Sequence, residues 1–197
     1  MTAEDKMGSG RMSLSSLRII ALCLALLIAV ADQATKWLIV QVVMQPPRVI
    51  EITGFFNLIL TFNCGVSFGL FAGDCSPGDL QPFALSGLAG AITLGLLVWL
   101  WQSRHWLPAV GIGLVIGGAI GNTIDRLFLP ERAVVDFLHF HGWVFDFPPL
   151  HGQWPAFNLA DSAIFVGVIA LLYDGLFLQP SEAKIRDSGE GSEQGET

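Results

Sequence analysis

The sequence predicts an all-α membrane protein with four transmembrane helices and a small extracytoplasmic β-rich segment after the first helix. Of its 197 residues, 52% are hydrophobic and only 14% are charged, whereas soluble domains carry about 25% charged residues. The apolar residues form four long runs, at about 18–43, 83–102, 107–126 and 157–178. A helix needs roughly 20 mostly apolar residues to cross a bilayer, and each run meets that requirement.

The first run also has features of a cleaved signal peptide. A basic segment precedes it, and Ala29-Val30-Ala31 has the A-x-A pattern of a cleavage site. The apolar pattern nevertheless resumes at Trp37-Leu38-Ile39-Val40. We therefore expect a retained helix that follows a cytoplasmic N-terminal segment, residues 1–17.

The basic residues predict the orientation. With four spans, six of the ten lysines and arginines fall on one side of the membrane: Lys6, Arg11, Arg18, Arg104, Lys184 and Arg186. The positive-inside rule makes that side cytoplasmic. Both termini are then inside, and residues 44–82 and 127–156 are outside.

The remaining segments are short or polar. Residues 49–62 are too short to span and rich in Val, Ile, Phe and Thr, which favours strands at the membrane surface. Residues 179–197 form an acidic tail without a periodic apolar face, which we expect to be disordered.

Cys23 is interpreted as a small core residue, and Cys64 and Cys75 are either a disulfide or two free thiols. No basic patch with interleaved aromatic residues indicates nucleic-acid binding.

Polar side chains inside a membrane span cost free energy, so each one indicates a structural or functional role. Asp32 and Lys36 lie four residues apart, on one face of the first helix. Counted from Arg18, Asp32 lies about 20 Å along that helix, in its outer third. Four separate segments bring such residues to this depth: Asp32, Asn122, Asp125, Arg126, Asp136, Asn158 and Asp161.

Structural roles compete with functional ones for these residues. The structural interpretation of Asp32 and Lys36 is an ion pair that makes a polar helix face tolerable. Asn158 precedes an apolar run and suits a helix N-cap, with Asp161 at the third helical position, as in a capping box. The convergence of all of them favours function.

Five motifs, in order, resemble those of the bacterial lipoprotein signal peptidases (signal peptidase II), and the resemblance covers about residues 17–178. They are Asp32-Gln33-Ala34-Thr35-Lys36, Asn63-Cys64-Gly65-Val66-Ser67-Phe68, Gly117-Gly118-Ala119-Ile120-Gly121-Asn122-Thr123-Ile124-Asp125-Arg126, Val134-Val135-Asp136-Phe137 and Pro155-Ala156-Phe157-Asn158-Leu159-Ala160-Asp161-Ser162.

The resemblance implies an aspartic endopeptidase of the bacterial inner membrane. Such an enzyme removes the signal peptide from diacylglyceryl-modified prolipoproteins, cutting before the lipidated cysteine. By motif position the catalytic pair is Asp136 and Asp161. Residues that bind substrate or orient the pair would be Asp32, Lys36, Asn63, Asn122, Asp125, Arg126 and Asn158. We expect no metal and no cofactor, a monomer, and prolipoproteins and membrane lipids as partners.

The chemistry agrees with this implication. Hydrolysis without a covalent intermediate needs a base for water and an acid for the carbonyl oxygen or the leaving amine. Two carboxylates that share a proton supply both. The first turn of the fourth helix favours an anion at Asp161, whereas Asp136 lies among apolar residues. We therefore expect the shared proton mainly on Asp136.

Two other hydrolase sites are weighed against this one. Gly65-Val66-Ser67-Phe68-Gly69 matches the G-x-S-x-G pattern of serine hydrolases, but that elbow needs an α/β sheet, and Ser67 more simply serves packing. A metal site would use His139, His141, His151 and Asp146. The H-E-x-x-H spacing of zinc proteases is absent, and interfacial histidines among aromatic residues favour a membrane-surface role.

A non-enzymatic alternative is a small proton-coupled membrane carrier, with Asp32, Lys36 and Asp161 as the relay. A carrier needs charges that line a path through the membrane, whereas here they gather at one depth.

Two segments depart from the motif pattern of the signal peptidase II family: Pro130-Glu131-Arg132 lengthens one connection, and residues 137–154 are unusually aromatic. Both concern loop geometry and substrate preference.

Overall fold

The computed structural model describes residues 13–65, 78–148 and 150–178. Within these residues there are four long helices, and all four are long and apolar enough to cross a membrane. They are α1 (Leu14–Leu38, continued by a π-helical turn at Ile39–Val43), α2 (Gln81–Gln102), α3 (Trp106–Phe128) and α4 (Leu159–Tyr173, continued by a π-helical turn at Asp174–Leu178). The predicted four-helix membrane fold is confirmed.

Helix α3 is the centre of the bundle and packs against each of the other three helices. Glycines allow the close approach, since a side chain at Gly113 or Gly117 would collide with the backbone of Ala21 or Ala25 in α1. Between apolar helices in lipid there is no hydrophobic driving force, so small residues gain stability through van der Waals contact of the backbones.

Large apolar side chains on α1, α2 and α4 point away from the bundle, as lipid-facing surfaces do. Cys23 belongs to this surface and is exposed, so its interpretation as a core residue is wrong. An apolar run alone cannot separate a lipid-facing position from a core position, because both environments are apolar.

A three-stranded antiparallel sheet lies at one end of the bundle, in the order β1 (Ile50–Thr53), β2 (Phe56–Asn63) and β3 (Val134–Phe140). We call this end the sheet end. The strands predicted within residues 49–62 are present. The third strand was not predicted, since strands were expected only within residues 49–62. All of residues 134–137 are buried, so β3 lacks the polar–apolar alternation of a half-buried strand.

The sheet is anchored on the extension of α1. Val135 and Phe137 of β3 form a buried cluster with Ile39 and Met44, which follow α1. Cys64, one residue after β2, is in a disulfide bond. Cys75, residues 1–12 and the acidic tail at 179–197 lie outside the described residues.

Candidate active site

Asp136 and Asp161 meet at the sheet end, one from the middle of β3 and the other from the first turn of α4. We call them the carboxylate pair. Asp136 is only 1% exposed. Its two oxygens each accept a hydrogen bond from an amide: Oδ2 from Asn63 Nδ2 at 3.0 Å and Oδ1 from Asn158 Nδ2 at 2.7 Å.

Asp161 is held by the cap of its own helix and by α3. The side chain of Asn158 accepts from the Asp161 N–H at 2.9 Å, and the Asp161 carboxylate accepts from the Asn158 N–H at 3.3 Å, which completes the predicted capping box. Asn122 Nδ2 donates to Asp161 Oδ1 at 2.8 Å. The capping role of Asn158 and its place beside the carboxylate pair are therefore not alternatives, since the residue has both.

Lys36 fixes the orientation of Asn122. An ammonium group has three N–H donors, and Lys36 Nζ has three acceptors: Asp32 Oδ2 at 2.7 Å, Asp125 Oδ2 at 2.7 Å and Asn122 Oδ1 at 3.0 Å. Because Asn122 must turn its oxygen to the ammonium, its NH₂ group faces Asp161.

The buried charges of Asp32, Lys36 and Asp125 form a layer behind the carboxylate pair, and none of them is more than 3% exposed. Asp32 Oδ1 accepts from the backbone N–H of Ala160 at 3.0 Å, and Asp125 Oδ2 accepts from that of Val135 at 3.1 Å. This layer therefore ties the start of α4 and strand β3 to α1 and α3. The three residues were predicted to bind substrate or to orient the pair, and their burial favours the orienting role.

Gln33 is a member of this layer that the sequence reasoning missed. Its Nε2 donates to Asp125 Oδ1 at 2.8 Å and to the carbonyl of Gly121 at 3.1 Å. Its position beside Asp32 in the first motif was the available signal. Neutral glutamine is common on protein surfaces, however, so the residue type alone does not indicate a site.

Two glycines of α3 make room for this arrangement. A side chain at Gly118 would collide with the carbonyl oxygen of Ala160, and one at Gly121 would lie 2.5 Å from Asp32 Oδ2. The absence of a side chain at these two positions lets α3 approach both α1 and α4 at the height of the carboxylate pair.

Arg126 lies at the edge of the site. Its Nη2 donates to the carbonyl of Gly65 at 2.7 Å, and its Nη1 lies 3.4 Å from the carbonyl of Asn122. Among the described residues its buried Nε–H has no hydrogen-bond partner. Asn63 contacts the same turn, because its Oδ1 accepts from the Gly65 N–H at 3.0 Å. The turn at Gly65 thus links two of the predicted substrate-binding residues.

The environment of Asp136 favours its protonated form. Burial is the main cause that raises the pKa of this carboxyl, to about 7, and the negative charge of Asp161 acts in the same direction. Hydrogen bonds from Asn63 and Asn158 and the charge of Lys36 oppose the rise without cancelling it. A buried acid with a raised pKa beside a second carboxylate is one arrangement that supports general acid–base catalysis.

His139, in β3, and His141, just after the strand, stack with ring centroids 5.9 Å apart. Burial, and then the charge of His141, lower the pKa of His139. Within the described ranges no group of three or more His, Cys, Asp or Glu side chains is arranged to hold a metal ion. The absence of a functional metal stays a prediction. Ser67, the nucleophile of the serine-hydrolase alternative, lies outside the described residues.

The chain matches a family described as signal peptidase (SPase) II over residues 24–177. Two curated relatives are named lipoprotein signal peptidase. The protein of Rhodopseudomonas palustris (strain TIE-1) is 43% identical over 151 residues, covering 76% of this chain and 87% of the relative. That of Nitrobacter hamburgensis is 44% identical over 156 residues, covering 77% and 88%.

Two solved structures described as bacterial membrane enzymes share the fold. One has a TM-score of 0.64 at 26% identity and covers 80% of this chain and 93% of its own. The other has a TM-score of 0.63 at 24% identity, with 90% and 94% covered. The family match and the curated relatives agree with the five motifs in the sequence: the chain belongs to the signal peptidase II family.

Proposed function

We propose that this protein removes the signal peptide from diacylglyceryl-modified prolipoproteins, with Asp136 and Asp161 as the catalytic pair. One observation carries the assignment of these two residues. They come from a strand and from the start of a helix, and asparagine NH₂ groups at 2.7–3.0 Å hold both at the same end of an apolar bundle. The curated relatives named lipoprotein signal peptidase support the choice of substrate.

In the proposed reaction Asp161 is the base and Asp136 the acid. Asp161 takes a proton from a water molecule, whose oxygen attacks the carbonyl carbon of the scissile peptide, while Asp136 gives its proton to the carbonyl oxygen. Collapse of the resulting gem-diol returns a proton to Asp136, and Asp161 gives its proton to the leaving nitrogen as the C–N bond breaks. The high pKa of Asp136, about 7, supports this division of roles.

Arg126 and Asn63 are the residues we place against the substrate backbone. Arg126 has the free Nε–H described above, and both side chains contact the turn at Gly65. A charged donor beside the scissile carbonyl would hold it in line with the water. Asn122 and Asn158 orient the carboxylate pair, and Asp32, Lys36 and Asp125 hold the layer behind it.

The proposed location is the bacterial inner membrane, with both termini in the cytoplasm and the sheet end at the periplasmic face. The charge distribution along the chain supports this orientation. At that face a substrate anchored by its acyl chains would present its peptide bond at the depth of Asp136 and Asp161. We expect the enzyme to act as a monomer.

The carrier alternative gains no support from the placement of charge. In the described parts of the helices, the buried ionisable groups are Asp32, Lys36 and Asp125 at the sheet end and Asp174 at the opposite end. The core of α1, α2 and α3 between these ends is an apolar cluster. A relay of protons across the bundle would need titratable groups in that gap.

The proposal is tested by incubating the detergent-purified protein with a preprolipoprotein in its lipidated and unlipidated forms. We expect release of the signal peptide from the lipidated form alone, with the new N-terminus at the modified cysteine in the mass spectrum. Cleavage elsewhere, or none with well-folded protein, would contradict the proposal. Proton flux into proteoliposomes without cleavage would favour the carrier.

A further inference from the structure

An apolar groove runs along the side of α4 that faces away from the bundle, between that helix and the segment 140–157. Its volume is about 510 Å³, within the range of roughly 300–1,000 Å³ that is typical of small-molecule sites. We call it the α4 groove. Its walls include Phe140, Phe145, Trp154 and Phe157 from the segment, and Phe165 and Val168 from α4.

The groove connects the lipid-facing surface with the carboxylate pair. Asp161 and Ser162 line one end. Val168 lies seven residues farther along α4, about 10 Å away along the helix axis. Phe165 is 65% exposed and Val168 41% exposed, so the far end opens towards the region that acyl chains of the bilayer occupy.

The lining is unsuitable for a peptide. An extended chain would leave its N–H and C=O groups without partners in a groove whose lining is apolar or aromatic apart from Asp161 and Ser162. A helix satisfies its own backbone, but at about 10 Å diameter and 5.4 Å per turn it occupies roughly 420 Å³ per turn. The groove would therefore hold little more than one turn of a signal-peptide helix.

An acyl chain has neither problem, because it is thin and carries no polar group that needs a partner. We propose that the α4 groove binds one acyl chain of the substrate's diacylglyceryl group. This inference rests on the proposed function, in which the lipidated cysteine directly follows the scissile bond. With that bond at the carboxylate pair, the glyceryl group lies at the Asp161 end of the groove, where its chain enters. This continuity favours the substrate's chain over that of a bilayer phospholipid.

Chain-length dependence tests the proposal. The substrates are two preprolipopeptides that differ only in their acyl chains, dibutanoyl and dipalmitoyl, of which only the second is long enough to reach Val168. Val168→Trp fills the far end of the groove. Ile169→Trp is the control, because Ile169 is also lipid-facing, at 50% exposed, but does not line the groove.

We expect the parent to have a lower KM for the dipalmitoyl substrate. Val168→Trp should raise that KM about tenfold, as expected from the loss of roughly two buried methylenes, and leave kcat and the dibutanoyl KM unchanged. Ile169→Trp should match the parent. An equal rise in KM for both substrates in Val168→Trp would overturn the proposal. So would an equal rise in the dipalmitoyl KM in Val168→Trp and Ile169→Trp. Cleavage without any chain-length dependence would contradict binding of the acyl chain in the α4 groove but would not contradict the proposed function.

A second measurement does not depend on turnover. Asp136→Asn protein is irradiated with a dipalmitoyl substrate that carries a photoreactive diazirine near the middle of one chain, and with a phospholipid that carries the same group at the same position. We expect the substrate to label Phe165 and Val168 more strongly than the phospholipid does. Labelling elsewhere on the helices, or equal labelling by the two lipids, would overturn the assignment to the substrate's chain.

Discussion

Three asparagines surround the carboxylate pair, and the oxygen of each is held by a group that only donates. Asn63 accepts from the Gly65 N–H, Asn122 from Lys36 and Asn158 from the Asp161 N–H. All three NH₂ groups are therefore left facing Asp136 or Asp161. At the scale of single residues, neutral donors orient both carboxylates without placing a full positive charge directly on either.

This arrangement predicts the pH dependence of the reaction. If Asp136 must be protonated in the resting enzyme, kcat/KM should fall about tenfold per pH unit above the upper pKa of the pair, which lies near 7. Asn63→Ala removes a donor that favours the charged form of Asp136, so the alkaline limb should move to higher pH. The measurement is the pH profile of kcat/KM for both proteins. A limb that moves to lower pH would contradict the assignment of the proton.

Lys36 predicts a stability effect that does not depend on activity. Lys36→Met would leave Asp32 and Asp125 buried without their shared cation, and breaking such buried pairs costs about 3–5 kcal/mol. Unfolding of the purified protein in detergent measures the loss. Arg48→Met is the control, because Arg48 is exposed, and it should change stability by less than about 0.5 kcal/mol. Equal stability of the two variants would refute the role given to Lys36.

At the scale of elements, the helices were predictable because each is a long apolar run, and strands β1 and β2 because their composition favours strands. Strand β3 was not predictable by alternation, since residues 134–137 are buried on both faces. The position of Asp136 could be inferred from its motif, whereas its strand and its contact with Asn63 follow only from tertiary pairing with β2. The role of Gln33 likewise depends on the approach of α1 to α3.

The spacing of α3 and α4 predicts the effect of one methyl group. Gly118→Ala would place Cβ against the Ala160 carbonyl and 2.7 Å from Ile164 Cγ1, and such overpacking costs about 1–3 kcal/mol. Cleavage should fall as well, because Asn122 and Asp161 lie on the two displaced helices. Gly87→Ala on α2 is the matched control, since nothing lies within 4 Å of its added Cβ. A neutral Gly118→Ala would show that this packing does not position the site.

At the scale of the whole molecule, the site is assembled from α1, β2, α3, β3 and α4, and no continuous segment contains it. The motifs identified most of its members because each segment is locally recognisable. Which residues face the substrate and which lie in the layer behind the carboxylate pair depends on burial, and burial follows from the packing of the bundle. The sequence alone therefore could not separate the substrate-facing residues from those in the layer.

The proposed orientation predicts the result of topology reporters. A fusion after Gln102, at the end of α2 away from the sheet, should report the cytoplasm. Fusions near Gly78 and Gly142, at the sheet end, should report the periplasm. The basic residues that flank the opposite ends of the helices place those ends in the cytoplasm by the positive-inside rule. A cytoplasmic signal at Gly142 would place the carboxylate pair on the wrong face for the proposed substrate.

The carboxylate pair itself is tested most directly by single-turnover cleavage of a lipidated preprolipoprotein by three variants, Asp136→Asn, Asp161→Asn and Asp146→Asn. Asp146 follows the short 3₁₀ turn at Trp143–Phe145 and is exposed, and it takes no part in the hydrogen bonds described around the pair. Each protein is first shown to be folded by its unfolding transition in detergent. We predict a loss of at least about a thousandfold in rate for Asp136→Asn and Asp161→Asn, with Asp146→Asn close to the parent. Near-parental cleavage by folded Asp136→Asn or Asp161→Asn protein would contradict the account.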